Sequence, residues 1–297
     1  MESLAQSMDF VYELFLRNYT RQKIRFMEKE LGFQRLHVDL GGHKIFFLKR
    51  PSAQGSDKTL FFIHGLLDSA TGFRRLAPFL RNDFNLLVPD IPGFGFSPLP
   101  KVKYLYQVDI FADLLYSSIR KLALNDLVLS GHSMGSLIAM MIAIRDSEKE
   151  KRVQRLVLLS PGGIPHPQRD EMRKLLFPSK TEEIERLLTA LYQENVPELG
   201  GFAKRALLSQ WNNLAHRYLT ENTLDREKEI FLGKKLSAVS QKTLIISGTE
   251  DPITDPPMIK KLHSYLKKSK LVWIPHSKHA LHMERPKEVA EKINSWL

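Results

Sequence analysis

The pentapeptide Gly131-His132-Ser133-Met134-Gly135 constrains this chain more than any other feature. It follows the apolar run Leu127–Ser130 and leads into the apolar, helix-like stretch Ser133–Arg145. A strand that turns directly into a helix strains the backbone at the corner, so the residues beside that corner must be small. Gly131 and Gly135 meet the demand. Such a corner presents the Ser133 hydroxyl at the strand end. The helix that follows aims its first amides at the place where negative charge would develop. The pattern predicts Ser133 as a nucleophile.

The surrounding chain alternates in the way such a corner needs. Strands are expected at Gln34–Leu40, His43–Lys49, Thr59–Ile63, Phe84–Pro89, Leu127–Ser130, Val153–Ser160, Thr243–Ser247 and Leu271–Pro275. Gly41-Gly42 reads as a tight hairpin turn between the first two. From Thr59 onward the strands are short continuous apolar runs, as in strands buried on both faces of a mostly parallel sheet. Helices are expected between them at Thr71–Arg81, Tyr106–Leu122, Ser133–Arg145, Pro256–Leu266 and Pro286–Trp296, which makes a doubly wound α/β pattern led by an antiparallel pair. From Gly163 to Ser240 the rhythm breaks. Arg169–Leu176, Thr181–Gln193, Gly201–Leu208, Gln210–Leu219 and Asp225–Leu236 all read as helices, and this insertion is expected to roof the site. With 297 residues the chain suits one large domain and a modest insertion. The parts are an N-terminal helix over 1–30, an α/β core over 31–162 and 241–297, and a helical cap over 163–240.

A nucleophilic serine needs a base and an acid that orients the base. Ten histidines compete. His279 follows the last strand, and a loop at the carboxyl end of a strand is where an open α/β sheet builds its site. His276 and His282 are its neighbours and rivals. The acid should follow an earlier strand. Ser247-Gly248-Thr249-Glu250-Asp251-Pro252 offers Asp251, with Glu250 as the alternative, whereas Ser160-Pro161-Gly162-Gly163 after the sixth strand carries no carboxylate. An oxyanion would be held by two backbone amides, one from the residue after the nucleophile and one from the loop after the third strand. Met134 supplies the first and Leu66, beside Gly65, the second. His64 reads as a structural, hydrogen-bonded residue. The loop Asp90–Ser97 is glycine-rich but lacks the G-x-G-x-x-G spacing and leads into no helix, so it reads as a structural loop and not a nucleotide cradle.

Composition excludes several classes. Cysteine is absent, which removes disulfides, a thiol nucleophile and thiolate metal sites, and fits a cytoplasmic location. The net charge of +11 favours acidic partners, yet the lysines and arginines are scattered and no nucleic-acid-binding signature is present. No apolar run approaches the ~20 residues of a membrane span. The N-terminal stretch is amphipathic at about 100° per residue. Leu4, Met8, Val11, Tyr12, Phe15 and Tyr19 fall on one side, with Gln6, Asp9, Glu13 and Arg17 opposite. Phe10, Leu14 and Leu16 widen the apolar face, and Arg21, Lys23 and Arg25 follow. Such a helix suits peripheral contact with a membrane. Docking on its own domain or on a second subunit is the alternative, and the acidic strip argues against simple lipid binding.

Five motifs in order, HGLLD, DIPGFGFS, GHSMG, SGTEDP and HxxHMERP, closely resemble those of the α/β-hydrolase superfamily, from about Phe33 to the C-terminus. Within it the chain is most similar to capped monoacylglycerol lipases and carboxylesterases, including those with an N-terminal lipophilic helix. The resemblance implies the α/β-hydrolase fold: a mostly parallel eight-stranded sheet flanked by helices, with a helical cap after the sixth strand. It also implies hydrolysis of a small-molecule acyl ester without cofactor or metal, with Ser133 as nucleophile, Asp251 as acid, His279 as base, and Leu66 and Met134 as oxyanion amides. An apolar cap suggests a lipophilic acyl group such as that of a monoacylglycerol. A serine nucleophile separates the chain from epoxide hydrolases and haloalkane dehalogenases. Leu66 stands where perhydrolase relatives carry tryptophan, Ser136 where many relatives carry a second glycine, and His132 where C–C bond hydrolases usually carry asparagine. Thioester or C–C bond hydrolysis, and a binding protein that keeps the fold, are the competing readings.

Overall fold

The computed structural model describes residues 2–102, 105–194 and 196–297. The first two strands, β1 (Gln34–Leu40) and β2 (His43–Arg50), form an antiparallel hairpin in which Leu40 pairs with His43. Gly41 and Gly42 both take positive φ, +66° and +95°, the hand that matches the twist of the flanking strands. The remaining strands are β3 (Thr59–Ile63), β4 (Asn85–Pro89), β5 (Leu127–His132), β6 (Val153–Leu159), β7 (Lys242–Gly248) and β8 (Ser269–Ile274). They form one sheet in the order β1-β2-β4-β3-β5-β6-β7-β8. β2 joins β4 antiparallel, and from β4 to β8 all neighbours are parallel.

Every residue of β3 and β5 is buried, which explains their unbroken apolar sequence. Side chains alternate between two cores. Phe61, Ile63, Leu127, Leu129 and Ile245 pack with helices α2 (Val108–Lys121), α3 (Met134–Glu148) and α9 (Pro256–Tyr265). Leu60, Phe62, Val128, Leu244 and Ile246 pack on the other face with Ile24 and Met27 of α1 (Glu2–Leu31) and with α11 (Pro286–Trp296). Between β6 and β7 the chain leaves the sheet and forms the cap: α4 (Arg169–Leu176), α5 (Thr181–Leu191), α6 (Gly201–Trp211), α7 (Leu214–Asp225) and α8 (Glu227–Ile230). Ile184, Leu187, Leu188 and Trp211 give the cap a small core of its own.

Three expectations are corrected. Thr71–Arg81 is not a helix but two 3-10 turns, Ala70–Arg74 and Ala77–Phe79. Pro78 has no amide to donate to a longer helix, and Ser69 caps the first turn by accepting from the Thr71 amide. The stretch expected as a helix over Gln210–Leu219 divides differently: α6 continues to Trp211, and α7 begins at Leu214. Asn213 supplies the new N-cap, its Oδ1 accepting from the His216 amide at 2.9 Å. Asp225–Leu236 breaks into α8 and a 3-10 turn over Gly233–Ala238, with Gly233 at φ +47°.

The N-terminal helix docks on the cap and also leaves an apolar face open. Phe202 of α6 sits edge-on to both Tyr12 and Phe15, with ring centroids 5.2 and 5.1 Å apart. Asp9 accepts from the Ser209 hydroxyl at 2.8 Å. Phe10, Leu14 and Tyr19 remain exposed. The side chains of Leu4 and Gln6 lie outside the described residues. No described helix is long and apolar enough to cross a membrane.

Candidate active site

A parallel sheet sends the carboxyl ends of its strands to one edge, and the expected site residues lie along that edge. Ser133 lies between β5 and α3 with φ +52° and ψ −117°, a region that non-glycine residues occupy only when the surroundings hold them. The glycines beside it are there because nothing larger fits. A Cβ on Gly131 would stand 2.2 Å from the Gly135 carbonyl oxygen, and one on Gly135 would stand 2.2 Å from the Ile63 carbonyl oxygen. Two backbone bonds hold the corner from below: Ser133 N–H donates to Leu159 O at 2.9 Å, and Gly162 N–H donates to Ser133 O at 3.1 Å. The Ser133 side chain has no hydrogen-bond partner among the described residues. It opens with Leu66 and Met134 into a cavity of about 190 Å³ beneath the cap.

Asp251 and His279 form a buried pair. Their separation is 2.9 Å from Oδ2 to Nδ1, and their side chains are 0% and 4% exposed. Asp251 is also held by its own loop. Its Oδ1 accepts from the amides of Ile253 and Thr254 at 2.8 and 3.0 Å, and its Oδ2 accepts from the Thr254 hydroxyl at 2.8 Å. Burial pushes the Asp251 carboxyl up, but the His279 imidazole and the Thr254 donors outweigh burial and hold it below the usual carboxylate range. The carboxylate is therefore an anion locked in place.

His279 is packed against the corner through His132, the residue before Ser133. The two rings lie 4.8 Å apart, and His132 Nε2 donates to His279 O at 2.9 Å. The rivals are placed elsewhere. His276 is 79% exposed and stands 3.3 Å from Glu250, itself at the surface. His282 is buried behind the site in the short helix α10 (Leu281–Glu284), against His132 and Phe73. His64 is structural: its Nδ1 donates to Gly65 O, and its Nε2 accepts from the Ile91 amide at 2.9 Å. Burial lowers the pKa of His64 and lowers that of His132 well below the ordinary imidazole value. Both rings stay neutral beside His279.

The loop Asp90–Ser97 is a closed structural turn. Asp90 accepts from the amides of Ala70 and Phe96 at 2.6 and 2.7 Å, and the Ser97 hydroxyl bridges Asp90 O to the Phe46 amide. Burial pushes the Asp90 carboxyl up to about 7 against the pull of those two amides.

Residues 60–292 match the model of the alpha/beta hydrolase family, well over half of the chain. The chain belongs to the alpha/beta hydrolase family. It is 26% identical over 257 residues to the uncharacterized hydrolase YugF of Bacillus subtilis, covering 81% of this chain and 90% of that protein. It is 24% identical over 255 residues to the sn-1-specific diacylglycerol lipase ABHD11 of Mus musculus, covering 80% of each. In fold it is similar to the crystal structure of a membrane phospholipase A, a bacterial virulence factor. That likeness has a TM-score of 0.79 and 23% identity, over 100% of this chain and 98% of the other.

For an alpha/beta hydrolase, three contributors here escaped the sequence reading. Thr254 shapes the Asp251 loop, and its signal is only a hydroxyl three residues past the acid. His132 and His282 form with His279 a cluster of imidazoles whose sequence signal is their number alone. The arginines of α4 that line the cavity are a third.

Proposed function

We propose that the chain is a serine carboxylic-ester hydrolase acting on lipophilic acyl esters through an acyl-enzyme on Ser133. The observation that carries this reading is the meeting of Ser133 with Leu66 and Met134 in one apolar cavity, beside a buried Asp251–His279 pair. In this mechanism His279 Nε2 takes the Ser133 proton as Oγ attacks the ester carbonyl. Asp251 keeps the proton on Nδ1 and stabilises the imidazolium. The Leu66 and Met134 amides hold the oxyanion. The proton passes to the departing alcohol, and water activated by His279 then releases the acid. Leu137, Ile164, Phe231 and Met258 line the cavity and suit an acyl chain.

The test is hydrolysis of p-nitrophenyl esters from acetate to palmitate, and of a monoacylglycerol, by wild type and Ser133→Ala. Loss of the nucleophile is expected to cost ~10⁴–10⁶ in turnover, with medium or long chains preferred. An enzyme that cleaves no ester would sink the reading and turn attention to thioesters or C–C bonds.

We further propose that α1 rests on an anionic lipid surface. Phe10 and Leu14, 66% and 45% exposed, are continued along the same side of the helix by Arg17, Arg21 and Arg25. An apolar patch is thus followed by a cationic collar. Asp9 of the acidic strip does not oppose this arrangement, because it is turned to Ser209 of the cap. Wild type is expected to sediment with phosphatidylserine-containing vesicles, and Phe10→Glu/Leu14→Glu to remain in the supernatant. Wild type left in the supernatant refutes the contact.

A further inference from the structure

The turn that carries His279 is held from the cap. β8 ends at Ile274 and α10 begins at Leu281, so residues 275–280 have no ladder or helix of their own. Glu250 N–H donates to Ser277 O at 3.1 Å and ties the turn to the loop after β7. The amides on either side of His279 lead elsewhere. Ala280 N–H donates at 2.8 Å to the carbonyl of Leu191, the last residue of α5. Lys278 N–H donates to Glu284 Oε2 at 3.4 Å. The other oxygen of that carboxylate, Oε1, accepts from the amides of Gln193 and Glu194 at 2.6 and 2.9 Å, just past the end of α5. Arg285 repeats the connection, donating through Nη2 to Glu194 Oε1 at 3.0 Å and to His276 O at 3.3 Å. A carboxylate at the carboxyl end of a helix opposes the helix dipole, so the amides it accepts from must outweigh that repulsion. Glu284 lies outside the wall of the cavity above Ser133.

We propose that Glu284 is a positioning residue that fixes His279 to the docked cap, so that the base is aligned only while the end of α5 rests on the His279 turn. This deepens the ester reading above, on which its kinetic arm rests; the alignment itself does not depend on the substrate. A cap that lifts draws the Gln193 and Glu194 amides away from Glu284, and the Leu191 carbonyl away from Ala280. His279 then keeps Asp251 on Nδ1 and His132 on its carbonyl, but the peptides on both sides of it are freed. Misplacing a catalytic group by about 1 Å costs on the order of 10²-fold in rate.

The test compares full-length wild type, Glu284→Ala and Glu284→Gln. The readouts are the downfield NMR resonance of the proton between His279 Nδ1 and Asp251, and kcat and KM for p-nitrophenyl octanoate. Alanine removes every acceptor bond of the side chain, whereas glutamine keeps one oxygen for the two cap amides. In Glu284→Ala the resonance is expected to shift or broaden, and kcat to fall on the order of 10²-fold. KM should stay near the wild-type value, because Glu284 does not line the cavity. Glu284→Gln should recover most of the resonance and of kcat. A residue that only stabilised the fold would move neither readout in protein shown to be folded by circular dichroism. If the alanine variant does not fold, Gln193→Pro removes a donor from the cap side instead. Tyr192, at φ −121° and ψ 136°, already has the backbone that a following proline accepts. That variant should move the resonance and kcat in the same direction. An unchanged resonance in the folded variant, or a glutamine no better than alanine, overturns the proposal. A wild type that shows the resonance but cleaves no ester removes the ester chemistry and leaves the resonance to decide the role of Glu284. Ester turnover with a resonance indifferent to Glu284 does the opposite.

Discussion

Replacing His282 by phenylalanine would remove an imidazole that the fold holds neutral at a cost that depends on pH. His282 is 1% exposed, and its ring lies 4.4 Å from that of His132 and 5.3 Å from that of Phe73. Neither of its nitrogens has a hydrogen-bond partner among the described residues. Burial is the main reason its pKa falls from 6.5 to about 4, with His279 and Arg74 adding to the effect against the pull of Asp68. The unfolded chain binds a proton on this histidine near pH 6.5, whereas the folded chain resists until about pH 4. Between those limits the unfolded state carries more protons, so stability rises with pH and is lost as pH falls. At about 1.4 kcal/mol per pKa unit, the full loss is roughly 3 kcal/mol, most of it spent by pH ~4.5. Denaturant unfolding of both proteins at pH ~7 and pH ~4.5 isolates the effect, because other titrating groups are common to the two. Whatever repacking costs at neutral pH, the variant should gain about 2–3 kcal/mol on the wild type when the pH is lowered. A difference between the two proteins that does not change with pH refutes the assignment of a neutral, desolvated imidazole.

Two further outcomes are expected. Thr254→Val removes one of the donors that anchor Asp251 while keeping the backbone amide. It should lower kcat/KM by about tenfold, the worth of a hydrogen bond to a charged group, and raise the Asp251 pKa so that stability is lost at a higher pH on acidification. Steady-state kinetics and acid titration of the fold read these two effects separately, and unchanged values of both would show the hydroxyl to be dispensable. Gly135→Ala drives a methyl group against the Ile63 carbonyl and should cost about 1–3 kcal/mol with loss of hydrolysis. Thermal unfolding and ester turnover together check this, and a variant as stable and active as wild type would mean that the corner can relax.

What could be read from the sequence and what could not divide along a physical line. Elements made by local pattern were legible. Gln34–Leu40, Thr59–Ile63, Arg169–Leu176 and Pro286–Trp296 form as expected to the residue, because apolar runs, a Gly-Gly turn or an N-terminal proline settle them locally. The placements of Ser133, Asp251 and His279 were legible for the same reason, since each sits just past a strand whose end is marked by glycine, proline or a polar run. Local pattern fails where a competing contact decides. Thr71–Arg81 has helix-like spacing, yet Asp90 draws in the Ala70 amide and Pro78 withholds a donor, so only 3-10 turns survive. α7 starts where Asn213 caps it and not where its apolar period begins. His132 and His282 matter through contacts between segments far apart in sequence, which nothing in one chain's spacing announces, and Thr254 matters through a hydroxyl bond to Asp251 that the short spacing permits without requiring.

The fold also explains why chemistry and substrate selection can be separated in this molecule. Leu66 follows β3, Ser133 follows β5, Asp251 follows β7 and His279 follows β8. All four arise at the carboxyl edge of strands that lie in the order β3-β5-β6-β7-β8. The strand in the middle, β6, gives no side chain to the proposed chemistry. Its loop instead supports the corner through Gly162 and then carries the chain outward into the cap. α4 is therefore tethered within a few residues of the nucleophile's own support, yet it is free of the packing that fixes the nucleophile. Substitutions on the cavity face of α4 should change which ester is held without moving Ser133, whose backbone is locked by Leu159, Gly162 and the two glycines of the corner. Gly131 and Gly135 of the corner have no such freedom, because a Cβ on either would meet a backbone carbonyl. Selectivity in this chain is thus expected to reside in the cap before any residue of the core.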